Sequence, residues 1–149
     1  MERGGGYKGL KPVLWCTADQ TALAEAEVEY EDHTSPSIYV KFPLVTSPTV
    51  LSKTFPDISF PLGIKSVSVV IWTTTPWTLP ANQAVCLHAE IDYAFVQTGD
   101  EVLILAEKLV ESMTKACKLD DVRVFGVKKG REGFEGIETQ RPLTTGLSP

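Results

Sequence analysis

Four prolines, Pro43, Pro48, Pro56 and Pro61, fall within "PLVTSPTVLSKTFPDISFPLG", residues 43–63, and limit what the chain can fold into more than any other feature. Each removes a backbone donor and fixes φ, so no central strand can run through the stretch. Phe55, Ile58 and Phe60 make it too apolar for a disordered linker. It reads as an irregular excursion laid over the surface of a core that its neighbours build.

Those neighbours read mainly as short strands. "SIYVKFPL" is stopped by Pro43. "KSVSVVIW", residues 65–72, alternates most clearly, with Val67, Val69 and Ile71 on one face and Ser66, Ser68, Val70 and Trp72 on the other. "QAVCLH", "DYAFVQ" and "EVLILA" follow as strands, the last two joined by a hairpin turn at Thr98, Gly99 and Asp100. "DDVRVFGVKKG" returns to alternation. A single helix is expected in "AEKLVESMTKACK", where Leu109, Met113 and Ala116/Cys117 recur at helical spacing opposite Glu and Lys. Near the start "LKPVLWC" is extended, whereas "TALAEAEVEYED" is divided: its composition favours helix, its Leu23/Glu25/Glu27/Glu29 alternation favours strand. "MERGGGYKG" reads as a flexible lead-in and "TQRPLTTGLSP" as a tail with no closing element. The sum is an α+β fold, mainly β, antiparallel and barrel-like.

Charge narrows the function. With 14 Lys+Arg against 19 Asp+Glu the net charge is −5, which excludes a general nucleic-acid coat held by many phosphate contacts. A protein that receives a single RNA end remains compatible. No apolar run approaches the roughly 18 residues of a membrane span, and the first residues lack the apolar core of a signal peptide, so a cytoplasmic location without a membrane partner is expected. Cys16, Cys86 and Cys117 have no C-x-x-C spacing. They are expected to be buried apolar thiols in a reducing compartment, not a disulfide framework or zinc site.

The chemistry concentrates in "WTTTPWTLPAN", residues 72–82. Thr73, Thr74, Thr75 and Thr78 offer hydroxyls that donate and accept, suited to a vicinal diol or an ordered water. Asn82 adds an amide, and Pro76 pre-sets the turn. The same residues also read as an ordinary strand exit, since threonine favours strands. His33 and His88 read as turn or capping residues, Glu25, Glu27 and Glu29 as a solvated row. Arg123, Lys128, Lys129 and Arg131 form a basic cluster that suits either RNA phosphates or an exposed hairpin.

Taken together, "KPVLWC…TALAEAEVEYEDHTSPSIYVKF" followed by "VVIWTTTPWTLPANQAV" resembles the isoleucyl-tRNA synthetases, and within them the editing domain inserted into the class I catalytic domain. Valyl enzymes resemble "ATTRPET" at this turn and leucyl enzymes "WTTRPDT". The resemblance implies a barrel-like editing domain reached through an extended β-ribbon. Residues 1–32 would be lead-in and ribbon, with much of the divided segment extended. Residues 33–149 would be the N-terminal and central part of the domain, cut short before the family's "GTG-x-V-H-x-A-P-x-H-G" stretch.

By the same resemblance Thr73, Thr74, Thr75 and Asn82 form the catalytic wall and Trp72, Trp77 and Thr78 bind substrate. The implied substrate is valyl-tRNA, and the partners are the aminoacylated 3′ end of tRNA, its valine moiety and the remainder of the synthetase. Editing would need no cofactor and no metal. ATP and Mg2+ would serve only the synthetic site, whose "HIGH"-like and "KMSKS"-like stretches do not occur in this sequence. "CTADQ" lacks the second cysteine that some relatives carry. Two alternatives stay open: a non-catalytic piece that binds the tRNA end, and a structural β-barrel module.

Overall fold

The computed structural model describes residues 9–142, and the chain divides into two compact units between Thr34 and Ser35. Most of the "MERGGGYKG" lead-in and the last part of the tail lie outside the described residues.

The first unit is built on a ribbon. Strands β1 (Leu14–Cys16) and β2 (Thr21–Leu23) pair antiparallel, Leu14 opposite Leu23 and Cys16 opposite Thr21. Their turn is tightened by the Asp19 N–H donating to the Cys16 sulfur at 3.4 Å, with Gln20 left-handed at φ 54°. The conflict between helix and strand in the next segment resolves piecewise. Strand ends at Leu23, a 3-10 turn covers Glu25–Glu27, and no regular element follows until Ile38. Glu25, Glu27 and Glu29 are exposed, as a solvated row requires, and the Glu27 carboxylate also caps the turn by accepting the Ala24 N–H at 2.7 Å.

The second unit is a mixed, open, five-stranded sheet. Its strands are β3 (Ile38–Pro43), β4 (Ser66–Thr73), β5 (Asp92–Thr98), β6 (Glu101–Ala106) and β7 (Val122–Lys129), in the order β3-β4-β6-β5-β7. The expectation of a wholly antiparallel, barrel-like sheet needs correction on two counts. β4 and β6 run parallel, because the chain leaves β4 by a long connection and returns with β6 placed between β4 and β5. The edge strands β3 and β7 do not pair with each other, so the sheet is not closed. The nearest approach to closure lies beyond the strands. Leu44 and Thr139 form an antiparallel bridge, flanked by Val45 N–H to Glu138 O at 2.9 Å and Gln140 N–H to Pro43 O at 2.7 Å. The described part of the supposed loose tail is therefore fastened to the end of β3.

Strand alternation sends side chains to two cores. Val67, Val69, Tyr93, Phe95, Val102 and Ile104 bury one face of the sheet. Ala94, Val96, Leu103 and Leu105 bury the other, under Met113 of helix α2 (Val110–Cys117); of the face expected from helical spacing only Met113 is buried, while Leu109, Ala116 and Cys117 are exposed.

Two further expectations fail. Residues 43–63 are not a surface excursion: they contain helix α1 (Pro48–Thr54), and Leu51, Phe55 and Ile58 lie in the first core. Pro48 stands in the first helical turn, where a missing N–H is not needed, so the proline opens the helix instead of forbidding one. "QAVCLH" forms no strand. Both edges of β5 are already taken by β6 and β7, and Val85 and Leu87 reach the core from an extended segment without a ladder.

Candidate functional site

Strand β4 carries the threonines to its C-terminal end. Thr73 is its last residue, opposite Ile38 of β3, and a 3-10 turn, Pro76–Ala81, begins three residues later. Pro76 opens that turn and buried Leu79 anchors it.

Most hydroxyls of the stretch are committed to the turn itself. The Thr73 hydroxyl oxygen accepts the Thr75 N–H at 3.0 Å and lies 3.1 Å from the Thr75 hydroxyl. The Thr75 carbonyl accepts both the Thr78 N–H at 3.0 Å and the Thr78 hydroxyl at 2.8 Å. Such local bonds are what Ser and Thr make where strand gives way to turn. Thr74 is the exception: half-buried, its hydroxyl makes no hydrogen bond with any described residue.

Asn82 closes the turn, its N–H donating to Leu79 O at 3.1 Å. Its side-chain amide donates to Ala84 O at 3.2 Å, which leaves the Oδ1 acceptor uncommitted among the described residues. Trp72 and Trp77 are 55% and 71% exposed, so neither indole serves the core. The residues singled out by sequence therefore gather in one turn. They separate into a scaffold whose hydroxyls bond within the turn (Thr73, Thr75, Thr78) and groups that the turn leaves uncommitted (the Thr74 hydroxyl, Asn82 Oδ1 and the exposed Trp77 indole). With its neutral donors and acceptors the turn can orient a water or a diol, but it contributes no acid or base.

Three concavities involve residues that flank this turn. A groove of about 440 Å³ runs between Val85, Leu87 and the segment Phe134–Ile137, and a space of about 340 Å³ sharing Val85 and Ile137 extends it to Gln83, next to Asn82. Trp72 lines a smaller apolar cavity of about 200 Å³ with Tyr39, Cys86 and Leu109. One residue that sequence reasoning passed over touches the turn directly. The Arg141 guanidinium donates to Pro80 O at 3.1 Å, and no local pattern in the tail signals it.

The remaining candidates fall elsewhere. Among the described residues no group of three His, Cys, Asp or Glu is placed to hold a metal. The cysteine expectation needs correction: Cys86 and Cys117 are exposed and Cys16 only half-buried, because each sits at a strand or helix end or in the unpaired segment. The basic cluster is largely neutralised. Lys128 pairs with Asp57 at 3.0 Å, Lys129 with Asp92 at 3.1 Å and Arg131 with Glu90 at 2.6 Å. His88 acts locally, its Nδ1 accepting the Glu90 N–H at 3.2 Å. No helix among the described residues is long and apolar enough to cross a membrane.

Comparison with known proteins places the chain in a family. The family model for class I tRNA synthetases (I, L, M and V) matches residues 1–132. The isoleucine–tRNA ligase of Pasteurella multocida is 48% identical over 143 residues, 96% of this chain and 15% of that protein. That of Thioalkalivibrio sulfidiphilus is 53% identical over 143 residues, with the same 96% and 15% coverage. For Petrotoga mobilis the identity is 47%, covering 96% of this chain and 14% of the relative. The chain thus spans about 15% of the length of the curated relatives it matches. On the match of its first 132 residues, the chain belongs to the class I tRNA synthetase family.

Proposed function

We propose that this chain supplies one wall of a proofreading site in an isoleucine–tRNA ligase, where the ester of mischarged valyl-tRNA is hydrolysed. One observation carries the reading. The turn after β4 ties up three of its threonine hydroxyls internally and leaves the Thr74 hydroxyl and the Asn82 Oδ1 for a ligand.

The chemistry suits such a wall. A pocket for isoleucine gains only ~1–3 kcal/mol from the methylene that valine lacks, a limit for which isoleucine-against-valine selection is the familiar example. Errors must then be removed after transfer. An aminoacyl ester is already reactive: water adds to the carbonyl carbon, the bond to the ribose oxygen breaks, and that oxygen leaves as a hydroxyl, freeing valine. The wall needs to hold the terminal ribose, orient the water and stabilise developing charge. Thr74 orients the water through its free hydroxyl, Asn82 meets the ribose with its Oδ1, and Trp77 offers a flat face to the terminal base. The step consumes only water. ATP and Mg2+ belong to charging, at a separate site of the longer protein.

A second reading, binding without turnover, is favoured by the openness of the turn, because hydrolysis gains from excluding bulk solvent. Incubating the chain with valyl-tRNA and isoleucyl-tRNA, both on the isoleucine acceptor, separates the two. Selective loss of the valyl ester supports the hydrolase. Retained binding of both without loss supports a passive wall, and absence of binding sinks both readings.

A further inference from the structure

We propose that Arg141 is a positioning residue for the threonine turn: its guanidinium clasps the Pro80 carbonyl and fixes the stretch that presents Thr74 and Asn82. The idea rests on the hydrolytic reading above for its function, but on geometry alone for the clasp.

The turn is otherwise held by short-range bonds. The side-chain hydrogen bonds of Thr73, Thr75, Thr78 and Asn82 each span two or three residues, whereas Arg141 Nη1 to Pro80 O, at 3.1 Å, spans 61. Short-range bonds shape a turn without fixing its orientation on the sheet. Buried Leu79 adds apolar contact, which is not directional. The Pro80 carbonyl stands where the 3-10 turn runs out: the turn closes with Asn82 N–H on Leu79 O, so Pro80 O has no donor of the turn's own.

Arg141 can fill that need because the segment before it is itself fastened. Gln140 N–H donates to Pro43 O at 2.7 Å, and Thr139 bridges Leu44 at the end of β3. Strand β3 in turn pairs with β4 as far as Thr73 opposite Ile38. A closed circuit results, from Thr73 through β4, β3 and residues 139–141 back to Pro80. Both ends of the turn are referred to the same two strands. Arginine suits the task, since its planar guanidinium stays charged and donates in fixed directions, and charge-assisted bonds are the stronger kind.

The test uses the full chain with Arg141→Ala and Arg141→Lys, read by amide hydrogen exchange and by valyl-tRNA hydrolysis. In R141A the Thr78 and Asn82 amides are expected to exchange about tenfold faster, the effect at this turn of losing the charge-assisted bond to Pro80 O. The Phe95 and Ile104 amides in the central strands stay unchanged. Hydrolysis falls by a similar factor in kcat with little change in KM, and R141K recovers part of both. Unchanged exchange at Thr78 and Asn82 overturns the clasp. So does acceleration that extends to Phe95 and Ile104, because that is general loosening. Lack of hydrolysis by the unsubstituted chain defeats the functional reading separately, since exchange alone decides the clasp.

Discussion

Phe55, just beyond α1, meets Phe95 of β5 edge-on, their ring centroids 5.1 Å apart at 66°. Both are almost wholly buried, and Phe134 completes the cluster, 5.0 Å from Phe55 and stacked on Phe95 at 6.0 Å. The proline-rich segment thus contributes the side chain around which the first core is assembled. Phe55→Ala should lower unfolding free energy by about 3–5 kcal/mol, read as a reduced urea midpoint with similar slope. A midpoint shifted by less than about 1 kcal/mol equivalent would fit a surface excursion instead.

That segment also shows where sequence reading reached its limit. Alternation located β4 and β7, and short apolar runs located β5 and β6, which are buried on both faces, since both signals are local. It misplaced residues 43–63 because proline was weighed as a strand breaker, while Pro48 occupies the one helical turn that tolerates it. The parallel β4–β6 pair has no local signature, as register between distant strands depends on which edges are already occupied. Within the site, residue types marked the turn, yet nothing in "TTTP" distinguishes Thr74 from Thr73. Only the hydrogen bond from Thr75 N–H to Thr73 Oγ1 separates their roles.

Gly130 sits where no larger residue fits. A Cβ there would overlap the His88 carbonyl and stand 3.0 Å from the Tyr93 ring, and a backbone oxygen cannot swing aside as a side chain can. Gly130→Ala should therefore displace the segment around His88, break the bond of 2.9 Å from His88 N–H to the Tyr93 hydroxyl, and cost about 1–3 kcal/mol. Gly136→Ala is the control: its φ of 75° brings backbone strain, but its Cβ would meet open space. Thermal melts of the two variants check this, with the larger drop expected for Gly130→Ala.

Thiol chemistry tests the exposed cysteines. Cys86 and Cys117 should be alkylated readily in the folded chain, and Cys16, half-buried beside Asp19, more slowly. Timed labelling followed by peptide mass analysis reads the order. Protection of Cys86 or Cys117 until the chain is denatured would restore the buried thiols that composition suggested.

The threonines permit the sharpest contrast, because on the proposed reading Thr73 should carry stability and, through it, hydrolysis, whereas Thr74 should carry hydrolysis alone. Thr73→Val removes the acceptor for Thr75 N–H and the neighbour of its hydroxyl. It should cost about 0.5–1.5 kcal/mol of stability and weaken hydrolysis through the misshapen turn, while Thr73→Ser keeps both. Thr74→Val deletes a hydroxyl that no described residue uses, so the melting temperature should hold within about 1–2 °C. Valyl-tRNA hydrolysis should nevertheless fall by about tenfold or more, because the water loses its orienting group. Paired melts and deacylation assays on the three variants check the pattern. If Thr74→Val melts early and hydrolyses normally while Thr73→Val does the reverse, the division between scaffold and reacting hydroxyl is wrong.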